Sequence, residues 1–114
     1  MSFDVHDEKV FQADPQKVYQ TALKVVEKFQ GKLVSSDAAR TRIEAKFPKT
    51  VLGKTLGDRC QVVFQINPAG EASQVVADGY PLDAIERKLM FGARAGVTAT
   101  VITWFFAHLE HNLK

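Results

Sequence analysis

An α+β domain is predicted for this chain: a five-stranded antiparallel sheet in the order β-α-β-β-β-β-α, with the helices packed on one face. Three observations carry that prediction. Apolar residues recur at three- and four-residue spacing near the start and again at the end. Between those stretches the period falls to 2. The alternating runs also follow one another through short turns, which is antiparallel connectivity. With 114 residues, 46% hydrophobic and 25% charged, residues 1–114 make one folded domain, and no repeat, low-complexity run or Pro/Ser-rich linker divides them.

The elements follow in order. "FDVHDEKVFQA" is the first strand, with a bulge expected at Asp7 and Glu8. A helix is predicted from Pro15 to Gln30: Asp14 caps it, Pro15 suits the first turn and Gly31 closes it in the left-handed conformation. Val18, Tyr19, Ala22, Leu23, Val26 and Phe29 form its apolar stripe, opposite Gln16, Lys17, Gln20, Lys24 and Lys28. "GKLVSSDAAR" supplies a short strand and turn. In "TRIEAKF" Thr41, Ile43, Ala45 and Phe47 alternate with Arg42, Glu44 and Lys46. "PKTVLGKTLGD" reads as a mobile loop; its "GKT" lacks the earlier glycine of a phosphate-binding loop. "CQVVFQI" puts Cys60, Val62, Phe64 and Ile66 on one face, and "NPAGEA" turns the chain into "SQVVADGY".

The register of that last strand follows from charge. If Val75, Ala77 and Gly79 share the covered face with Val62 and Phe64, Asp78 points to water, whereas a slip by one residue buries it. Small Ala77 and Gly79 then lie beneath the closing helix, where either Trp104 and Phe105 fill the space or a pocket remains. Between Tyr80 and Val97, Asp83 is placed to cap a short helix with Leu82, Ile85 and Leu89 on its apolar edge, and Gly92 and Gly96 break any continuation.

The ending "AGVTATVITWFFAHLEHNLK" is apolar enough to raise the question of a membrane. Its run from Val97 to Ala107 has only 11 residues and includes three threonines, whereas a span needs roughly 20. It is read instead as a helix lying across the sheet on Val101, Ile102, Phe105, Leu109 and Leu113. His108 and Asn112 interrupt the apolar arc: either they face a pocket, or they stand where the last turns run off the sheet into water.

A net charge of +2 carries little information about partners. Cys60 is the single cysteine, His6, His108 and His111 are scattered around it without metal-ligand spacing, and no nucleophile with an orienting base is brought together by the predicted strands. No metal, cofactor or catalytic residue is therefore assigned. The acidic start "MSFDVHDEKV" lacks the pattern of a secretory signal, so a cytoplasmic location is expected.

In the strand-to-helix junction "FQADPQKVYQTAL", the element order and the amphipathic closing helix, the chain resembles TATA-binding-protein-like domains and, in abbreviated form, helix-grip domains of the START and Bet v 1 type. The resemblance implies an apolar ligand held between sheet and closing helix. Candidate lining residues are Phe64, Ala77, Gly79, Trp104, Phe105 and His108. Arg87, Lys88 and Arg94 form a candidate anion- or partner-binding segment. The alternatives to a non-catalytic ligand-binding domain are a homo- or hetero-oligomeric interaction module using a sheet edge or that basic segment and, ranked last, nucleic-acid binding through the sheet, whose outer face mixes Arg42 and Lys46 with Glu44.

Overall fold

The structure is a computed structural model describing residues 4–83, 85, 87, 88 and 96–114. Strands β1 (Val5–Phe11), β2 (Lys32–Asp37), β3 (Arg42–Phe47), β6 (Arg59–Ala69) and β7 (Ala72–Leu82) make one antiparallel sheet in the spatial order β1-β7-β6-β3-β2. Helices α1 (Pro15–Lys28) and α2 (Val97–Leu113) pack on its inner face. The predicted α+β architecture is thus the observed one. Strands β4 (Thr50–Val51) and β5 (Lys54–Thr55) pair as a small separate hairpin where a loop was expected, because Leu52 and Gly53 both take positive φ and turn the chain between them.

Asp14 caps α1 as predicted, accepting hydrogen bonds from the backbone N–H of Gln16 and Lys17, both at 3.1 Å. The helix ends two residues earlier than expected, at Lys28, and its left-handed closing residue falls one position earlier. Gln30, not Gly31, takes the left-handed conformation, at φ 60°. Its N–H bonds to the Glu27 carbonyl and that of Gly31 to the Val26 carbonyl, the paired bonds of a Schellman ending. Gly31 serves instead for close approach: a Cβ there would lie 3.0 Å from both Phe47 and Val26.

Register follows the argument from charge. Phe64 stands opposite Ala77 and Val62 opposite Gly79, all on the inner face, while Asp78 faces out opposite His6. The inner residues Ile43, Ala45, Phe47, Cys60, Val62, Phe64, Ile66, Val75 and Ala77 are fully buried. The bulge expected at Asp7 and Glu8 is not there: β1 pairs without interruption from Val5 to Phe11, because both residues fit an edge whose side chains reach water on either face. The irregularity lies in β2, between Leu33 and Ser35.

Helix α2 buries Val97, Thr98, Val101, Ile102, Phe105, Phe106 and Leu109, and exposes Thr103 and Glu110. Each large apolar side chain so buried is worth about 1.5–3 kcal/mol. Its C-terminal end is tied to β1 by Lys9 and Glu110 at 2.5 Å, and Phe106 meets Phe11 edge-on at 5.9 Å. Among the described residues no helix is long and apolar enough to cross a membrane.

Candidate functional site

The space between sheet and closing helix is filled by aromatic rings delivered from four different elements. Phe29 is the C-terminal cap of α1, Phe47 ends β3, Phe64 lies mid-β6 and Phe105 mid-α2. Phe64 and Phe105 stack, with centroids 4.1 Å apart and planes 19° from parallel. Phe29 and Phe47 close around that pair edge-on, 5.9 Å and 6.2 Å from Phe105 and 6.1 Å from each other. Such edge and offset contacts add about 0.5–1.5 kcal/mol per pair beyond burial.

Two polar-tipped residues of α2 stand at the margin of this cluster. Trp104 is half-buried and packs against the hydrophobic core. His108, one turn on, sits edge-on to Phe29 at 5.3 Å and is also half-buried. Partial burial lowers the His108 pKa below the ordinary histidine value, with the charges of Lys28 and His111 acting in the same direction. Its imidazole is therefore held toward the neutral form, suited to accept or donate one hydrogen bond at an otherwise apolar margin.

The six nominated lining residues divide into two groups. Phe64 and Phe105 are in direct contact, Ala77 is the register partner of Phe64, and Phe29 links Phe105 to His108. Gly79 lies two residues further along β7, where the space above it is occupied by Thr98 rather than by Trp104 or Phe105. A Cβ at Gly79 would come within 3.0 Å of the Thr98 methyl group and of Val62. Phe64, Ala77 and Phe105 are fully buried, so the core is closed at this point.

The basic segment is organised differently from the expected short helix. The described part of 82–88 is a tight loop in which Leu82 bridges to Lys88 and the Asp83 N–H bonds to the Arg87 carbonyl at 2.7 Å; Ile85 is 66% exposed, so it forms no apolar edge. Arg87 is ion-paired with Asp83 at 3.4 Å, and Lys88 pairs with Asp4 at 2.9 Å while lying over the Tyr80 ring. The Asp83 carboxylate accepts from the N–H groups of Arg87 and Ile85, which lowers its pKa. Arg94, with Leu89 and Gly92, lies outside the described residues.

On the outer face, His6 is bracketed by two carboxylates, Nδ1 at 2.6 Å from Asp78 and Nε2 at 2.8 Å from Glu8. The hydrogen bond to Asp78 first, then that to Glu8, raises its pKa above the ordinary value. Cys60, opposite Phe47, is buried, and desolvation pushes its thiol up to about 12, which suits a core residue and not a nucleophile. Phe29 and Phe47, assigned from the sequence only to buried faces, are the members of the cluster that periodicity did not single out.

Two helices on the inner face of a five-stranded antiparallel sheet, with the longer one closing over it, is the helix-grip arrangement. No family model and no curated protein sequence matches the chain. Solved structures do. The chain is similar to the crystal structure of Ara h 8.0201, a Bet v 1-like protein, at TM-score 0.69 with 10% identity over 96% of this chain and 95% of that one. It is also similar to CalU16 from Micromonospora echinospora, at TM-score 0.63 and 8% identity over 97% of this chain and 74% of that one. A third similarity is to the di-domain ARO/CYC BexL of the BE-7585A biosynthetic pathway, at TM-score 0.61 and 14% identity, covering 96% of this chain but 46% of that one. At such identities the likeness is one of fold.

Proposed function

We propose that this protein is a non-catalytic binding domain for a small apolar or amphipathic molecule, held between the sheet and α2. The observation that supports it is the Phe64–Phe105 stack, ringed by Phe29 and Phe47 and bordered by half-buried His108, with half-buried Trp104 one turn before it on α2. Aromatic faces gathered where a helix crosses a sheet are the surfaces an apolar ligand uses. Because the core is closed, the ligand takes the place of the Phe105 ring, which rides on a helix whose C-terminal end is held to β1 by the Lys9–Glu110 pair and the Phe106–Phe11 contact. With the Phe105 ring swung aside as one wall, Phe64 and Ala77 form the floor, Gly79 beneath Thr98 marks the far end, and Trp104 and His108 form the rim. The domain is proposed to act in the cytoplasm.

Trp104 is the only tryptophan in the chain, so its fluorescence reports on this site without ambiguity. Titration with fatty acids, lipids and aromatic metabolites is expected to give a saturable change for at least one class, and Phe105→Leu, which keeps an apolar core but removes the stack, is expected to bind the same compound more tightly. An unchanged Trp104 signal across the whole panel rules the proposal out.

An oligomeric interaction module is the second reading, favoured by Leu33 and Val34, 46% and 48% exposed on the edge strand β2. The bulge in that strand interrupts the ladder another chain needs, so it ranks below ligand binding.

A further inference from the structure

Positive charge gathers where the two helices meet, away from the nominated basic segment. Lys24 and Lys28 of α1 are exposed and stand one turn apart; with Thr21 and buried Val25 they line a hollow of about 240 Å³, to which α2 contributes Asn112. Like charges at this spacing repel each other along a helix. Lys28 lies in the last turn, where the carbonyl end of α1 favours a cation, but Lys24 is a turn too early for that compensation. Among the described residues neither lysine pairs with a carboxylate. Glu27, on the same stretch of α1, does not line the hollow, and Glu110 of α2 is taken by Lys9.

The rest of the lining offers donors. The Asn112 amide is fixed by a hydrogen bond from its Nδ2 to the His108 carbonyl at 2.7 Å, which uses one of its two N–H groups and leaves the other. The hydroxyl of half-buried Thr21, one turn before Lys24, adds an O–H. Two ammonium groups, an amide N–H and a hydroxyl thus surround one crease, and among the described residues no acidic side chain lines it. The complement of such a set is a compact anion with two negative charges and several acceptor oxygens.

We infer that the crease between α1 and α2 binds a phosphate monoester, with Lys24 and Lys28 bracketing the dianion and Thr21 and Asn112 donating to its oxygens. This site lies apart from the space between sheet and α2 and does not depend on the ligand-binding function proposed above. A dianion between the two lysines turns a repulsive pair into two attractive contacts, whereas a carboxylate, with one charge, offsets only half of theirs. Soluble phosphate esters and the head of an anionic lipid both carry this group.

The test follows the backbone amides of Thr21, Lys24 and Lys28 and the side-chain amide of Asn112 by NMR, at mildly alkaline pH where a phosphate monoester is a dianion. Methyl phosphate, acetate and sodium chloride are compared at matched ionic strength, on the native chain and on the double variant Lys24→Gln/Lys28→Gln. Methyl phosphate is expected to shift these amides saturably and to bind the native chain about tenfold tighter than acetate, the worth of one further charge-assisted hydrogen bond. In the double variant that preference is expected to fall to about threefold or less. Unaltered circular dichroism verifies folding, with a thermal midpoint equal to or above the native one because a repulsion has been removed, and Lys24→Gln alone serves if the double variant does not fold. Equal responses to methyl phosphate, acetate and chloride, or a preference that survives the substitutions, overturns the site, whatever Trp104 fluorescence reports about apolar compounds. Cosedimentation with phosphatidylcholine vesicles containing phosphatidic acid separates the two sources. Vesicle binding that methyl phosphate competes away and the double variant lacks supports the site and assigns it to a lipid head; methyl phosphate binding without vesicle binding supports it and assigns a soluble ester. Vesicle binding with no methyl phosphate shifts at the crease overturns the site in favour of a diffuse charged surface.

Discussion

The seat of α2 on the sheet turns on one contact that a pair of small substitutions measures. Replacing Gly79 by alanine puts a methyl group 3.0 Å from Thr98 Cγ2, 3.0 Å from Val62 Cγ2 and 3.2 Å from the Gln61 carbonyl oxygen. Gln61 and Val62 belong to the adjacent strand and are held by the ladder, so the first turn of α2, carrying Thr98, has to lift. Overpacking of this kind costs about 1–3 kcal/mol, against which alanine recovers about 0.4–1 kcal/mol by restricting the unfolded chain. The expected net loss is about 1 kcal/mol, a fall in Tm of about 4 °C for a domain of this size. Thr98→Ser removes the opposing methyl at a cost near 0.8 kcal/mol while keeping the hydroxyl. In the double variant the two losses are expected to fall short of additivity by at least about 0.5 kcal/mol, because the space vacated by one change accepts the other. Urea unfolding with an unchanged m-value reads all four corners of the cycle. Strict additivity, or a Gly79→Ala chain as stable as the native one, would show that α2 does not rest on β7 through Thr98.

Two further outcomes follow from the titratable groups. His6, bridged by Asp78 and Glu8, should titrate above its ordinary pKa of 6.5 in an NMR pH series, and Asp78→Asn should bring it back toward that value. Since the folded-state pKa is the raised one, the stabilisation is complete below 6.5 and disappears as pH rises through the folded value; a titration at or below 6.5 would mean that the His6–Asp78 contact does not form in solution. Cys60, with its thiol pushed up to about 12 by burial, should resist a disulfide reagent at mildly alkaline pH and react at the rate of a free thiol once urea unfolds the chain. Rapid reaction of the native protein would contradict its place on the inner face of β6.

Much of this architecture was legible because it depends on which side of a local element is wet. The stripe on α1 needed only the 3.6-residue period. The register of β7 needed only the cost of burying Asp78, and that cost alone places Ala77 and Gly79 on the face covered by the closing helix. Local conformation was less legible where several solutions satisfy the same backbone. A glycine after a helix ordinarily takes the left-handed turn, yet here Gln30 takes it and Gly31 makes room for Phe47. The stretch 82–88 had a helix cap at Asp83, but its carboxylate stabilises a loop instead.

By itself, then, the sequence determined the five strands of the main sheet and the two long helices, the inner faces of β3, β6 and β7 and the apolar side of each helix, since these are periodicities read over a few neighbouring residues. The tertiary structure alone decided that β1 lies beside β7, that Phe29, Phe47, Phe64 and Phe105 meet at one point, and that Lys24, Lys28 and Asn112 share one hollow. Those juxtapositions join residues tens of positions apart through strand pairing and helix packing, and no period along the chain records them.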